Sequence, residues 1–296
     1  MTRKQLTRQI EALRKRYEEA FYKPLSKVIE KQISSFTEVM IRYSGRPVST
    51  EEAARLTTEI STMATIDTDL SKVIALMYTR SGVANANLTL RYLRLLPKVQ
   101  EKRGSFGFNL EWTRQILEYF EMNLFNKVVL PISATTREFI LDTINRGVIE
   151  GWSIEEMVQR IEREDYLDGR VRRILRTEIN RAINYGSVIG EQKWEYKTQK
   201  RWIAVHDNRT RHPHLNADGQ TVMLDGIFEV GGEPMQFPGD PEASAANTVN
   251  CRCHMEMVAE RDDNGRLVPK NPPAQQPRVR GQLRQSLREI LADLTS

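Results

Sequence analysis

Arg201-Trp-Ile-Ala-Val205, running into Asp207-Asn208, is the stretch where the chain changes character. β-Branched and aromatic residues followed by a turn signal read as a strand. From there to about residue 258, the short β-prone pieces Thr221-Val-Met223 and Ile227-Phe-Glu-Val230 are separated by Asp225-Gly226, Gly231-Gly232 and Pro238-Gly-Asp-Pro241. The spacing predicts a small, loop-rich β module with little apolar content for its length. Modules of this kind commonly need a staple beyond their own core.

Everything before that stretch, up to about residue 196, reads as helix. Leu6, Ile10, Leu13, Tyr17, Phe21, Leu25, Val28 and Ile29 recur mostly at steps of three and four, which places them on one stripe. Pro24 predicts a kink or interruption there. Residues 1–46 hold eleven Lys or Arg against five Glu. That face is either a solvated cover of a helical bundle or an arm lying on another protein or DNA. Ser49 with Glu52, Thr135 with Glu138 and Ser153 with Glu156 have capping-box spacing and predict three helix starts. Periodic segments cover roughly 51–64, 68–97, 109–129 and 135–149, with Glu101-Lys-Arg-Gly-Ser-Phe-Gly107 as a loop. A last long helix is expected over about 168–196. Beyond the β module, residues 261–277 read as a polar, proline-rich linker. Leu283, Leu287, Ile290, Leu291 and Leu294 form a short amphipathic helix that docks either on its own protein or on a partner. The fold class is therefore α+β: a mostly helical N-terminal two-thirds, then a small loop-rich β module, then a short C-terminal helix.

The chain has 296 residues, 40% of them apolar and 28% charged, with a net charge of +5. No apolar run is long enough to span a bilayer. The charged start has no apolar h-region, so no cleaved secretory signal is expected. Cys251 and Cys253 are the two cysteines, too few for a disulfide framework. The positive charge permits contact with nucleic acid without demanding it.

The least random feature is a cluster. All four histidines (His206, His212, His214 and His254) and both cysteines fall between His206 and His254. His212-Pro-His214 and Cys251-Arg-Cys253 are x-spaced pairs that would project to one face of an extended segment. Thiolate and imidazole together are the donor set that four-coordinate zinc prefers, and closing the chain between His214 and Cys251 would supply folding free energy. Two buried thiols and surface histidines explain the same letters without a metal. A catalytic zinc would need an open position and a carboxylate base, for which Asp207, Asp218 and Asp225 are candidates.

Other catalytic patterns are weaker. Gly231-Gly-Glu-Pro234 lacks the Lys-Ser/Thr of a phosphate loop, and no G-x-S-x-G elbow occurs. A Cys-His nucleophile pair cannot be read from spacing alone. Glu155-Glu156 and Asp262-Asp263 are adjacent pairs that read as solvated surface. Arg170, Arg172, Arg173, Arg176 and Arg181 spread around a helix, partly answered by Glu178, which favours an ion-paired helix over a phosphate-binding face.

Taken in order, the chain carries Arg176-Thr-Glu178 with Ala182, Asn184 and Gly186, then Trp202, Asp207-Asn-Arg-Thr210, His214-x-x-x-Asp218-Gly219, Phe228, Pro238-Gly-Asp-Pro241 and Asn250-Cys-Arg252-Cys253. This resembles the phage Mu F-like head morphogenesis family, the minor head proteins of tailed bacteriophages, over about residues 130–258. The resemblance implies a division into 1–130 as a helical docking and oligomer-contact region, 131–258 as the Mu F-like domain (helices 131–196, β module 198–258), and 259–296 as linker and terminal helix. It implies a non-enzymatic virion component that contacts the portal or major capsid protein in head assembly or genome packaging and delivery. Related modules are fused to toxin domains. Non-specific contact with packaged DNA would follow from the charge. Some members carry Arg-Thr-Cys-x-x-Cys before the Asp-Gly box and His-Pro before Asn-Cys-Arg-Cys, which implies a metal cluster. Here Arg211 and His214 stand at the two cysteine positions and Thr248-Val249 replace His-Pro, so a zinc set would draw on His212, His214, Cys251 and Cys253. The alternative from the residues alone is a zinc-dependent hydrolase, a nuclease or peptidase, built on the same cluster.

Overall fold

The computed structural model describes residues 1–45, 48–63, 67–95 and 109–270. The loop expected at 101–107, the later part of the proline-rich linker and the terminal helix lie outside these residues. The described chain is α+β, as its sequence pattern requires. Its helices are α1 (Arg3–Ile41), α2 (Thr50–Thr62), α3 (Asp67–Arg94), α4 (Leu110–Tyr119), α5 (Leu130–Glu150), α6 (Ile154–Ile161) and α7 (Glu164–Glu191). The β module follows: β1 (Thr198–Ile203), α8 (His212–Asn216), β2 (Thr221–Met223), β3 (Phe228–Val230), β4 (Glu233–Met235), α9 (Ala245–Thr248) and β5 (His254–Ala259). No described helix is long and apolar enough to cross a membrane.

Three helix expectations are corrected. α1 runs through Pro24 without a break, because Pro24 is exposed and the carbonyl it leaves unbonded, that of Ala20, also belongs to an exposed residue that water can serve. Thr135 does not start a helix. It lies inside α5, and its hydroxyl donates back to the Pro131 carbonyl at 2.8 Å. The break expected between 129 and 135 is absent because α5 begins at Leu130, and the stretch before it, Phe120–Val129, is π-helical and joins α4 to α5. Its buried positions are Phe120, Leu124, Val128 and Val129, and π-helix occurs, as here, as a stretch set between α-helices. The boxes at Ser49/Glu52 and Ser153/Glu156 both form, with reciprocal side-chain and backbone bonds.

The chain forms two compact units, each assembled from separated stretches. One comprises Phe21–Ile74 and Asn123–Ile174. Within it α2 packs on α5 and α5 on α6, burying Leu56, Ile60, Ile140, Ile144, Met157 and Ile161. Phe139 stacks on Tyr166 with ring centroids 3.7 Å apart, and the Thr37 hydroxyl donates to Glu162 at 2.9 Å.

The other unit comprises Met1–Ala20, Ala75–Met122 and Leu175–Ser296, and its described part holds the β module. Three antiparallel strands lie in the order β2-β1-β5, with Arg201 opposite Glu256 and Trp202 opposite Met255, and β3 and β4 form a separate hairpin. Gly82 and Ala86 on α3 meet Gly186 and Gly190 on α7. A Cβ at Gly186 would lie 2.3 Å from the Gly82 carbonyl oxygen, and one at Gly190 2.3 Å from that of Ala86. Small residues at i and i+4 on both helices let the backbones touch. The Asn85 amide fixes the crossing by donating to the Ile183 carbonyl and the Ser187 hydroxyl, both at 2.8 Å.

Gly186→Ala should therefore destabilise by about 1–3 kcal/mol through overpacking. Gly169→Ala, on the same helix with nothing within 4 Å of the new methyl, should be neutral or stabilising by up to about 1 kcal/mol. Urea unfolding of the two variants measures both, and equal effects would contradict the packing described.

Candidate functional site

The site is built where the segment leading into β5 meets α7. Turn chemistry sets its backbone. Gly219 takes φ +80° and donates its N–H to the Trp202 carbonyl at 2.9 Å, which closes the return from α8 to β2 and explains the glycine of the Asp-Gly pair. Asn250 takes φ +58°, alone among the described non-glycine residues. Asparagine tolerates that left-handed conformation better than branched residues do. Its N–H donates to the Thr177 hydroxyl at 3.0 Å, and its side-chain oxygen accepts from Arg176 at 3.2 Å.

Beyond Asn250, α7 binds the chain through asparagines. Asn180 and Asn184 both donate to the Cys253 carbonyl, at 3.1 and 3.2 Å, and Asn184 accepts from the Met255 N–H at 3.0 Å. From α1, Arg14 donates to the Arg252 carbonyl at 2.6 Å and to Asn180 at 3.0 Å. Arg14 is buried, so it is set apart from the solvated face expected of its neighbours. Arginine and two asparagines in a buried position are tolerable only because each finds these partners.

The motif residues form the rest of the frame. Arg252 grips Asp207 with two nitrogens, at 2.5 and 2.6 Å, and Asp207 also accepts from the Arg209 N–H and the Thr210 hydroxyl. The Arg252 guanidinium holds the Asp207 carboxyl well below the usual carboxylate range. Asp218 accepts from the Ala204 N–H and pairs with His206, both at 2.8 Å. Burial works to raise its carboxyl, and these two partners more than offset that. Glu178 receives the Tyr78 hydroxyl and the Arg181 guanidinium, both at 2.6 Å, in a buried set. Arg181 also donates to the Gly239 carbonyl at 2.5 Å, which ties the Pro-Gly-Asp-Pro turn to α7.

At the centre lie His214, Cys251 and Cys253, all buried, with donor atoms within 4.8 Å of one another. The His214 Nδ1 stands 3.6 Å from the Cys251 sulfur and 3.4 Å from that of Cys253. The Trp202 ring lies edge-on to His214 at 5.8 Å and to Phe228 at 5.4 Å, closing the apolar side. Both cysteines are free thiols. A hydrogen bond from Cys253, with His214 close by, holds the Cys251 thiol well below its usual range despite burial. Cys253, as the donor and itself buried, is pushed up.

The geometry tests a tetrahedral metal directly. Zn–S of about 2.3 Å and Zn–N of about 2.0–2.1 Å at a tetrahedral angle place nitrogen and sulfur roughly 3.5 Å apart. The two observed separations bracket that edge, so these three side chains fit zinc. The same distances suit thiol–imidazole hydrogen bonds. No fourth His, Cys, Asp or Glu joins them among the described residues.

The histidine pair read as sharing a face does not. His212-Pro-His214 lies on α8, where residues two apart point in nearly opposite directions. His212 is exposed, with Asn216 at 3.3 Å, while His214 turns inward. His206 is also outside the cluster. His254 is buried on the far side of the strand end, 3.2 Å from the Thr7 hydroxyl, and burial pulls its imidazole down to about 3, so it is neutral. Conversely, Cys251 and Cys253 converge because they sit in irregular chain ahead of β5 and escape the spacing of a strand. Arg14, Thr177, Asn180 and Asn184 were not singled out as site residues. The available signal was two asparagines at i and i+4 among Ile179, Ala182 and Ile183, on a face too apolar to leave them in water.

Removing Asn184 leaves the Met255 N–H without its acceptor and the Cys253 carbonyl with one donor fewer. Asn184→Ala should cost about 2–3 kcal/mol. Chemical denaturation reads this directly, and a cost below about 0.5 kcal/mol would mean that the clamp holds nothing.

Comparison with known proteins bears on this segment. Residues 138–256 match the family model for Phage Mu protein F like protein, which confirms the resemblance over that stretch. The chain is similar to an uncharacterized protein, YqbB, of Bacillus subtilis, 23% identical over 161 residues, 51% of this chain and 47% of that one. It is similar to the minor head protein GP7 of Bacillus phage SPP1, 26% identical over 150 residues, 49% of this chain and 44% of that one. It is also similar to the NAD(+)–arginine ADP-ribosyltransferase EFV of Enterococcus faecalis, 30% identical over 118 residues, 38% of this chain but 24% of that one. The matches thus span less than half the length of each relative. No solved structure matches.

Proposed function

We propose that this chain, carrying the Mu protein F like pattern over residues 138–256, is a structural minor head protein of a tailed bacteriophage. The similarity to a phage minor head protein supports this role. Head assembly or genome packaging beside the portal is the setting we infer, with the portal or major capsid protein as partner and the virion as its place. Packaged DNA would be touched through phosphates only, in a salt-dependent and sequence-independent way.

The observation that carries the non-enzymatic reading is how the polar residues are occupied. Asp207 is spent on Arg252, Asp218 on Ala204 and His206, and Glu178 on Tyr78 and Arg181. His214 and the two cysteines are buried against Trp202. A hydrolase would need a carboxylate base free to serve a water and a donor set open to substrate. Neither Asp207 nor the buried cluster meets that requirement, and Asp225, the remaining candidate base, is exposed and outside the cluster, so the hydrolase alternative has less behind it. The likeness to an ADP-ribosyltransferase covers 24% of that protein, which suits a shared module better than a shared reaction.

Within this reading we assign zinc to His214, Cys251 and Cys253 as a structural brace. Bound there, the metal would supply closure of the module. The chain's own residues place the donors: α8 turns His214 inward, and Asn180 and Asn184 fix the carbonyl of Cys253.

Two measurements test this. Purified heads should contain the chain at a fixed, small copy number, and its absence from particles would overturn the virion role. The isolated protein should hold about one equivalent of zinc. His214→Ala should lose it, while Asp207→Ala should keep it. Zinc-free protein of unchanged thermal stability would remove the metal, and Asp207-dependent hydrolytic turnover would restore the enzyme reading.

A further inference from the structure

Trp202 is fully buried, and its indole N–H has no hydrogen-bond partner. Buried polar groups are paired in native proteins, so an orphaned donor points to an acceptor. The buried indoles of Trp112 and Trp194 share that condition, but Trp202 is the one that borders the cluster.

Its neighbours fix the ring. Met255 lies opposite it across the β1–β5 pairing, and the Phe228 and His214 rings stand 5.4 and 5.8 Å away between centroids. So held, the indole N–H faces the sulfur of Cys253, and the Val205 backbone N–H reaches the same sulfur. The Cys253 N–H serves the sulfur of Cys251 in the same way. Three N–H groups thus converge on two sulfurs. A thiol sulfur is a weak acceptor with little use for them. A thiolate that holds a metal carries charge, accepts charge-assisted bonds and is oriented by them.

We propose that Trp202 is a positioning residue of the metal site, its indole N–H donating to the Cys253 thiolate that binds zinc. The proposal rests on the zinc assignment made above and adds a residue outside the ligand set. The bond pairs the one polar atom that the packing of Trp202 leaves without a partner, and it fixes the direction in which Cys253 presents its sulfur.

Metal binding by the full chain tests it. Trp202→Phe removes the N–H but also shrinks the side chain. A second variant therefore carries benzothienylalanine at Trp202, which keeps the indole shape with sulfur in place of the N–H. Competition with a chromophoric chelator should show zinc held about 10–100-fold more weakly in both variants. In the cobalt(II)-loaded protein, the sulfur-to-metal charge-transfer band should move to lower energy, because the sulfur loses the positive end of the N–H dipole. A merely structural role would lower stability and leave that band in place. The same replacement at Trp194, outside the cluster, should change neither reading. Unchanged affinity and band with benzothienylalanine at Trp202 would overturn the proposal and leave the zinc assignment standing. A full chain that takes up neither zinc nor cobalt would overturn both.

Discussion

Between Asn250 and Cys253 the chain runs outside the sheet, and side chains of α7 do what a neighbouring strand would otherwise do. Asn180 and Asn184 converge on one carbonyl, Thr177 takes the Asn250 N–H, and Arg14 reaches in from α1 to the carbonyl of Arg252. These bonds hold four consecutive residues in an irregular path. That path brings two thiols two residues apart to one imidazole. It also aims Arg252 the other way, onto Asp207. The clamp, the cluster and the Asp207 pair are thus consequences of one docking event. Without that docking, β5 has no fixed entry and β1 loses its long partner.

Burial makes the arrangement stringent. A carbonyl or amide removed from water costs on the order of 1–3 kcal/mol if left unpaired. The module is small, its sheet has three strands and its hairpin strands are three residues each. It has little apolar surface with which to absorb such losses. Zinc held by His214, Cys251 and Cys253, as proposed, would add its binding free energy to the folded module, the usual device for a core of this size. Trp202 stands edge-on to His214, and Phe228 packs in turn on Trp202.

The helix-then-β order, two capping boxes and the strand at Trp202 were legible because each is local: a period, a spacing, a run of branched residues. The long helix through Pro24 was not, since the letter alone does not tell whether a proline's orphaned carbonyl faces water. Thr135 misled for a related reason. A threonine followed three residues later by glutamate has capping-box spacing even inside a helix, where its hydroxyl simply bonds back a turn. In the site, the sequence supplied the donor types and three of the residues that meet. His212 went astray because its neighbourhood is helical, and the inward turn of α8 depends on contacts with distant chain. Asn184 stood among the motif residues without a role, and Asn180 was not among them. Their role exists only once a carbonyl from seventy residues later arrives at their face.

The central claim is that the buried thiols and imidazole hold the β module together. Hydrogen exchange on the full chain carrying Cys251→Ser and Cys253→Ser tests it most directly. The account predicts that amides of 198–259 lose protection while those within Phe21–Ile74 keep theirs. Undiminished protection across 198–259 in that variant would contradict it.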